Sequence, residues 1–203
     1  EAGVKPVQVT DVFFTHLHYD HCLDYCRLLM TRWDQGAGKI PELNVYGPAY
    51  TEKMTDLIIN GVFAPDLEAR TELPMSQAVF VARGGKLPRA KPKPVVRELK
   101  NGDTVEEAGF RVKVHSVIHA QPILECFGYR LEEDDSRRMD PAKLAAAGVA
   151  GPKVGELLKK GSVEIAGKTV RAEDVSEPKP GQRFAFVMDT KECDGARALV
   201  KDA

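Results

Sequence analysis

Thr15-His16-Leu17-His18-Tyr19-Asp20-His21 follows directly on the apolar run Val12-Phe13-Phe14, and its reading decides the rest of the chain. Three histidines and a carboxylate between His16 and His21 concentrate nitrogen and oxygen donors far beyond what packing requires. Imidazole and carboxylate suit Zn²⁺, with Fe²⁺ or Mn²⁺ compatible by ligand type. His16 and His18 lie two apart, so an extended segment points both side chains the same way. Asp20 and His21 follow where the chain must turn, where they can face a second ion. The stretch is expected to be a metal site.

At 203 residues the chain is long enough for one large domain or two small ones, and 43% hydrophobic residues suffice for a packed core. Lys plus Arg (29) nearly balances Asp plus Glu (30), so net charge points to no nucleic-acid partner, and any such contact needs a local patch. The four cysteines form no CxxC pair and no disulfide framework, which predicts reduced thiols and a cytoplasmic protein. Cys22 and Cys26 read as small apolar residues on an inward helix face. No run in this sequence approaches a membrane span, and no signal peptide is expected. The first residue is Glu1 rather than Met, which fits a piece of a longer protein.

From the motif outward, Val7-Gln8-Val9 and Val12-Phe13-Phe14 predict a turn feeding a buried strand. Cys22, Cys26, Leu29, Met30 and Trp33 recur at helical spacing, and Asp34 to Gly38 ends that helix. Leu43 to Tyr46 is a strand, and Thr51 is the expected N-cap of a helix with Met54, Leu57 and Ile58 on one face. Strand, helix, strand, helix is the α/β pattern. Residues 61–82 read as mixed helix and loop. Arg83, Lys86, Arg89, Lys91, Lys93, Arg97 and Lys100 make a basic stretch, either a phosphate contact or a solvated loop. Val95 to Val117 reads as hairpin-like β structure with turns at Asn101-Gly102 and near Gly109. Phe127 to Leu131 is a further strand. Residues 132–181 are polar and broken, and read as a weakly cored insertion projecting from the main body. Core sequence returns in Phe184 to Met188, a buried strand ending on Asp189, and a final helix starts at Gly195.

Two metals at the motif need further ligands. The candidates are His115 or His119 after a strand, between which spacing does not choose, and Asp189 at a strand end. A carboxylate can bridge ions about 3.5–4 Å apart; a strand-terminal Asp is equally a helix N-cap.

On these residues the chain resembles the metallo-β-lactamase superfamily and, within it, the ribonuclease Z family of tRNA 3′-processing endonucleases. Thr15 to His21 is similar to the superfamily signature. His119…Pro122…Gly128-Tyr129-Arg130 is similar to the third-histidine motif, which favours His119. Ala147 to Pro152, with Leu157 to Gly161, is similar to the Gly-Pro segment of the tRNA-gripping arm. Gly181-Gln182-Arg183…Met188-Asp189-Thr190 is similar to the bridging-aspartate motif. The resemblance implies an αββα sandwich lacking N- and C-terminal portions, in one partial domain over 1–203, with the arm inserted at 132–182. It implies two zinc ions, one on His16, His18, His119 and Asp189, the other on Asp20, His21 and Asp189. Asp20 would orient the attacking water and accept its proton, and Gly151 and Pro152 would contact substrate. The reaction implied is phosphodiester hydrolysis through a zinc-activated hydroxide, on a tRNA precursor or another phosphodiester, in a homodimer without membrane attachment.

Tyr19 stands where the ribonuclease Z motif has glycine, and Met188 where glycine precedes the aspartate. These differences keep open a second expectation, a hydrolase of small molecules such as lactones, β-lactams or sulfate esters. A third is a non-enzymatic nucleic-acid-binding relative using residues 83–100.

Overall fold

The computed structural model describes residues 3–119 and 125–203; Pro122 of the third-histidine motif lies outside them. In chain order the elements begin β1 (Asp11–Phe13), α1 (Tyr19–Gly36), β2 (Asn44–Gly47), α2 (Thr51–Leu57), α3 (Ala64–Glu72), α4 (Pro74–Ala82) and β3 (Val95–Glu98). They continue with β4 (Thr104–Glu107), β5 (Phe110–Ser116), β6 (Phe127–Glu133), β7 (Ser136–Met139), α5 (Pro141–Ala146) and α6 (Pro152–Lys160). Last come β8 (Ser162–Ile165), β9 (Lys168–Arg171), β10 (Ser176–Lys179), β11 (Arg183–Phe186) and α7 (Asp194–Val200). The α/β class holds. The chain divides into two compact units, one of Glu1–Thr104, Lys113–Arg130 and Ala185–Asp202, the other chiefly of Val105–Val112 and Leu131–Phe184.

In the first unit β1, β2 and β3 pair in parallel, Phe13 opposite Tyr46 and Asn44 opposite Val95. Parallel strands leave their loops at one edge, so the histidine motif after β1 and the Pro48–Tyr50 loop after β2 emerge together. Phe14, Tyr25, Leu29, Leu43, Val45, Ile59 and Leu67 form the core beneath them. Helix α1 starts at Tyr19, three residues before the apolar periodicity at Cys22, because Asp20 and His21 occupy its first turn. Its inward face is Tyr25, Leu29, Arg32 and Gly36, with Cys22 and Cys26 only half-buried. Two polar residues hide that face in the sequence. The Tyr25 phenol meets the Thr55 hydroxyl at 3.1 Å, and the Arg32 guanidinium donates to the carbonyls of Val9 (2.6 Å) and Pro41 (2.8 Å).

Tyr50, not Thr51, is the residue before α2; the buried Thr51 hydroxyl instead donates back to the Pro48 carbonyl at 2.7 Å. Residues 61–82 are mostly helical, with Pro65 and Pro74 in the first turns of α3 and α4, where the missing N–H costs nothing. The basic stretch is partly spent inside the protein. Asp34 takes Arg70 at 2.9 Å, Arg83 at 3.1 Å and Arg89 at 3.4 Å, and the buried Arg89 guanidinium lies 3.8 Å from the Trp33 ring centroid. Lys91 pairs with Glu68 and Arg97 with Asp103.

Val95 to Val117 is not one hairpin series. β3 joins the parallel sheet, whereas β4 and β5 belong to a four-stranded sheet ordered β11-β6-β5-β4. The turn at Asn101-Gly102 exists, with Gly102 at φ 86°, but it carries the chain from one sheet to another. Buried Leu99, whose N–H bonds the Gly47 carbonyl, keeps the preceding segment beside β2. Strand β11 is an edge strand with Ala185 half-buried and Phe184 and Phe186 exposed, not the buried run expected. Leu199 of α7 packs with Val117 and Cys126.

In the second unit β7 pairs antiparallel with β10, and β8 with β9. Asp140 caps α5 by accepting from the N–H groups of Ala142 and Lys143. The insertion is better cored than the sequence suggests: Leu144, Val149, Leu157, Val163 and Val175 form their own cluster. Each comes from a different short element, so no window shows an apolar period.

Candidate metal centre

All six expected ligand residues lie in the first unit. After β1 the backbone stays extended, and His18 (φ −63°, ψ 145°) is the N-cap of α1. His16 and His18 therefore project to one side, while Leu17 packs on the core between them. The helix start then delivers His21. His119 arrives after β5, and Asp189 after β11.

Two groups of donor atoms result, each with its members within 4.8 Å of one another: His16, His18 and His119; and His16, His21 and Asp189. The His16 Nε2 lies 3.0 Å from the His18 Nδ1, which lies 3.2 Å from the His119 Nε2. Nitrogens around a tetrahedral zinc, with Zn–N of about 2.0–2.1 Å, stand roughly 3.3–3.4 Å apart. The three imidazoles are close to that spacing already. The Asp189 Oδ2 lies 2.8 Å from the His21 Nε2 and 3.9 Å from the His16 Nε2, so it stands between the two. Asp20 belongs to neither tight group; its Oδ2 is 3.5 Å from the His21 Nε2, and its side chain is largely exposed. His115 is in neither group, so the choice left open by spacing falls to His119.

The electrostatics suit a cation. His16 is wholly buried, and burial, reinforced by His21, His18 and His119 against the opposing pull of Asp189, lowers its pKa to about 4. It is a neutral imidazole with a free lone pair at neutral pH. Three ring nitrogens aimed at one point repel unless a proton or a metal ion lies between them. The outer nitrogen of His16, Nδ1, meets the Thr15 hydroxyl at 3.1 Å and the Cys126 thiol at 3.8 Å. Burial pushes that thiol up to about 11, so Cys126 is a neutral neighbour rather than a thiolate ligand. The donor set fits a divalent metal of the zinc class.

Sequence reasoning missed the supports. The Tyr129 hydroxyl donates to the Phe14 carbonyl, two residues ahead of His16. Gly128 leaves room for Leu199, whose Cδ1 lies 2.5 Å from where a Cβ would stand. Thr190 accepts from the Ile118 N–H at 3.0 Å through its hydroxyl, tying the Asp189 segment to the one that carries His119. The pattern Gly128-Tyr129 signals both supports only once the facing residues are known. Gly151 precedes α6 at φ 57° and ψ −135°, with Pro152 as its first residue, in the second unit.

No helix among the described residues is long and apolar enough to cross a membrane. No family model matches the chain. It is 34% identical over 200 residues to ribonuclease Z of Nocardia farcinica, covering 98% of this chain and 56% of that protein. It is 35% identical over 203 residues to ribonuclease Z of Kineococcus radiotolerans, covering 100% and 54%. An 80-residue segment is 54% identical to ribonuclease Z of Salinispora arenicola, covering 39% of this chain and 26% of that protein. Among solved structures, the metallo-β-lactamase fold protein YhfI of Bacillus subtilis matches 64% of this chain and 39% of its own, with TM-score 0.38 and 15% identity. The chain thus spans about half the length of the curated relatives it matches. Over the whole of its own length it is similar to proteins named ribonuclease Z, and the match includes the histidine motif.

Proposed function

We propose that this chain is the metal-binding part of a ribonuclease Z-like phosphodiesterase that cleaves precursor tRNA at its 3′ side, within an αββα metallo-β-lactamase sandwich. The observation that carries this reading is the convergence of the His16, His18 and His119 nitrogens beside the His21–Asp189 pair. Likeness along the whole of this chain to about half the length of proteins named ribonuclease Z supports a nuclease.

In this reading His16, His18, His119 and Asp189 would hold one zinc ion, and Asp20, His21 and Asp189 would hold a second. A zinc ion bound there would supply Lewis acidity and bring the pKa of a water far down, to near neutrality. The chain's own residues do the rest. Asp189 sets the spacing of the two groups through its shared Oδ2. Asp20, exposed beside His21, orients the attacking water and accepts its proton. The insertion at 132–182 is the tRNA-gripping arm, with Gly151 and Pro152 presenting α6 and its lysines to the RNA. The functional unit is a homodimer, and the four free cysteines suit a cytoplasmic location.

The test is incubation of zinc-loaded full-length protein with a precursor tRNA. Cleavage at the 3′ side, abolished by Asp189→Ala, is expected. Turnover of small esters without any RNA cleavage would replace this reading with the small-molecule hydrolase.

A further inference from the structure

Two aromatic side chains at the rim of the metal centre are exposed where an ordinary protein would bury them. Tyr19, the first residue of α1 and the neighbour of His18 and Asp20, is 78% exposed. Tyr50, in the loop after β2, is 67% exposed. The parallel pairing of β1 and β2 brings both loops to one sheet edge. Contacts bind the second loop to the site. The Ala49 N–H donates to the Glu125 carboxylate at 3.1 Å, and the next residue, Cys126, touches His16. A Cβ on Gly47 would stand 3.1 Å from the Cβ of Phe14, two residues before His16.

Tyr50 also pays a conformational cost. Its φ of 77° is left-handed, a region in which a bulky side chain is an outlier. Such strain persists only where the surroundings enforce it, and it collects at ligand sites. The enforcement is visible: the Thr51 hydroxyl on the Pro48 carbonyl and the Glu98 carboxylate on the Glu52 N–H fix the chain on the far side of Tyr50. The result holds the phenol ring out in solvent. Lys53 adds a cation, its Nζ 5.6 Å from the Tyr50 ring centroid. An exposed aromatic face with an ammonium beside it is the equipment for an unpaired base and its phosphate, since every base has a π-face to stack.

We propose that Tyr19 and Tyr50 are the specificity residues of this site, stacking unpaired nucleobases on either side of the scissile phosphate, with Lys53 neutralising the adjoining phosphate. This rests on the phosphodiesterase reading above. It makes the enzyme select single-stranded RNA by its bases rather than by its backbone alone.

The test is binding by zinc-loaded full-length protein of a short oligoribonucleotide with phosphorothioate linkages and one 2-aminopurine, and of its counterpart abasic at the same position. Tyr50→Gly suits the left-handed backbone, so loss of binding is not loss of fold; Tyr19→Gly and the Phe variants complete the set. The Gly variants are expected to bind the base-containing oligonucleotide on the order of tenfold more weakly, with 2-aminopurine quenching lost. They should bind the abasic one as the wild type does, and Phe should restore both readouts. Equal affinity of wild type and both Gly variants, or equal loss with the abasic oligonucleotide, overturns the proposal. If precursor tRNA is still cleaved in that case, the phosphodiesterase reading survives; a wild type that neither binds nor cleaves RNA removes both.

Discussion

Thr15→Val tests whether the buried side of His16 governs metal binding. His16 presents its Nε2 to the other ligands, so its proton sits on Nδ1 and is donated to the Thr15 hydroxyl 3.1 Å away. Both residues are buried, so no water replaces a lost partner. Valine keeps the shape of threonine and removes the oxygen. Among the described residues, the other polar atom recorded against that nitrogen is the Cys126 sulfur at 3.8 Å, a weak acceptor. Losing the group that orients a metal-ligating histidine costs about 10–100-fold in affinity. At about 1.4 kcal/mol per tenfold that is roughly 1.4–2.8 kcal/mol, within the range of about 1–3 kcal/mol for a stranded buried donor. Competition against a chromogenic zinc chelator at fixed pH reads it directly. An affinity within twofold of wild type would refute the reasoning, because His16 would then be held by packing alone.

Tyr129→Phe strands the Phe14 carbonyl and should cost about 1–2 kcal/mol, read as a melting temperature lower by roughly 2–8 °C. At Asp34, burial alone pushes the carboxyl up, but hydrogen bonds and charges from Arg83, Arg70 and Arg89 outweigh it and hold the pKa below the usual range. A depressed carboxylate contributes stability that is present above its unfolded pKa of about 3.9 and lost as pH falls through the folded value. Asp34→Asn should therefore flatten the acid limb of a urea-denaturation series below about pH 4, and lower stability at pH 7. Leu157→Ala opens a cavity in the second unit's own core, worth about 2–5 kcal/mol. Hydrogen exchange should rise across residues 131–184, with zinc affinity unchanged.

The site was more legible in the sequence than the fold around it. Zinc-class ligands come from few residue types, His, Cys, Asp and Glu, so a dense run such as His16 to His21 stands out whatever its surroundings. His119 and Asp189 stand alone, and spacing could not separate His119 from His115; only β5, ending at Ser116, sends one of them to the cluster. A helical face is hidden in sequence wherever a polar side chain is buried in it, as with Arg32 in α1 and Thr51 and Thr55 in α2. The Asn101-Gly102 turn shows the limit of local signals. Its backbone chemistry specifies a turn, but which strands flank it is decided by Leu99 and the Gly47 carbonyl, 52 residues apart in sequence. The basic stretch reads equally as a phosphate contact or a solvated loop because charge shows in sequence and its partner does not; Asp34 lies far upstream and collects Arg83 and Arg89 from it, together with Arg70.

Asp189 combines ligand geometry with backbone strain, and the two can be separated. It stands at φ 49°, a left-handed conformation that costs most L-residues roughly 1–2 kcal/mol and Asp somewhat less. From that position its Oδ2 meets the His21 Nε2 at 2.8 Å. Asp189→Ala and Asp189→Gly both delete the carboxylate, but only glycine relieves the backbone. In a position of ordinary φ, alanine is the more stable of the two by about 0.4–1 kcal/mol. Here the order should reverse, with glycine the more stable by about 1 kcal/mol in metal-free urea titrations, and zinc binding lost equally in both. An alanine variant as stable as the glycine variant would mean that the backbone relaxes once the carboxylate is gone. The left-handed turn would then be held by the His21 contact rather than by the strand that delivers it.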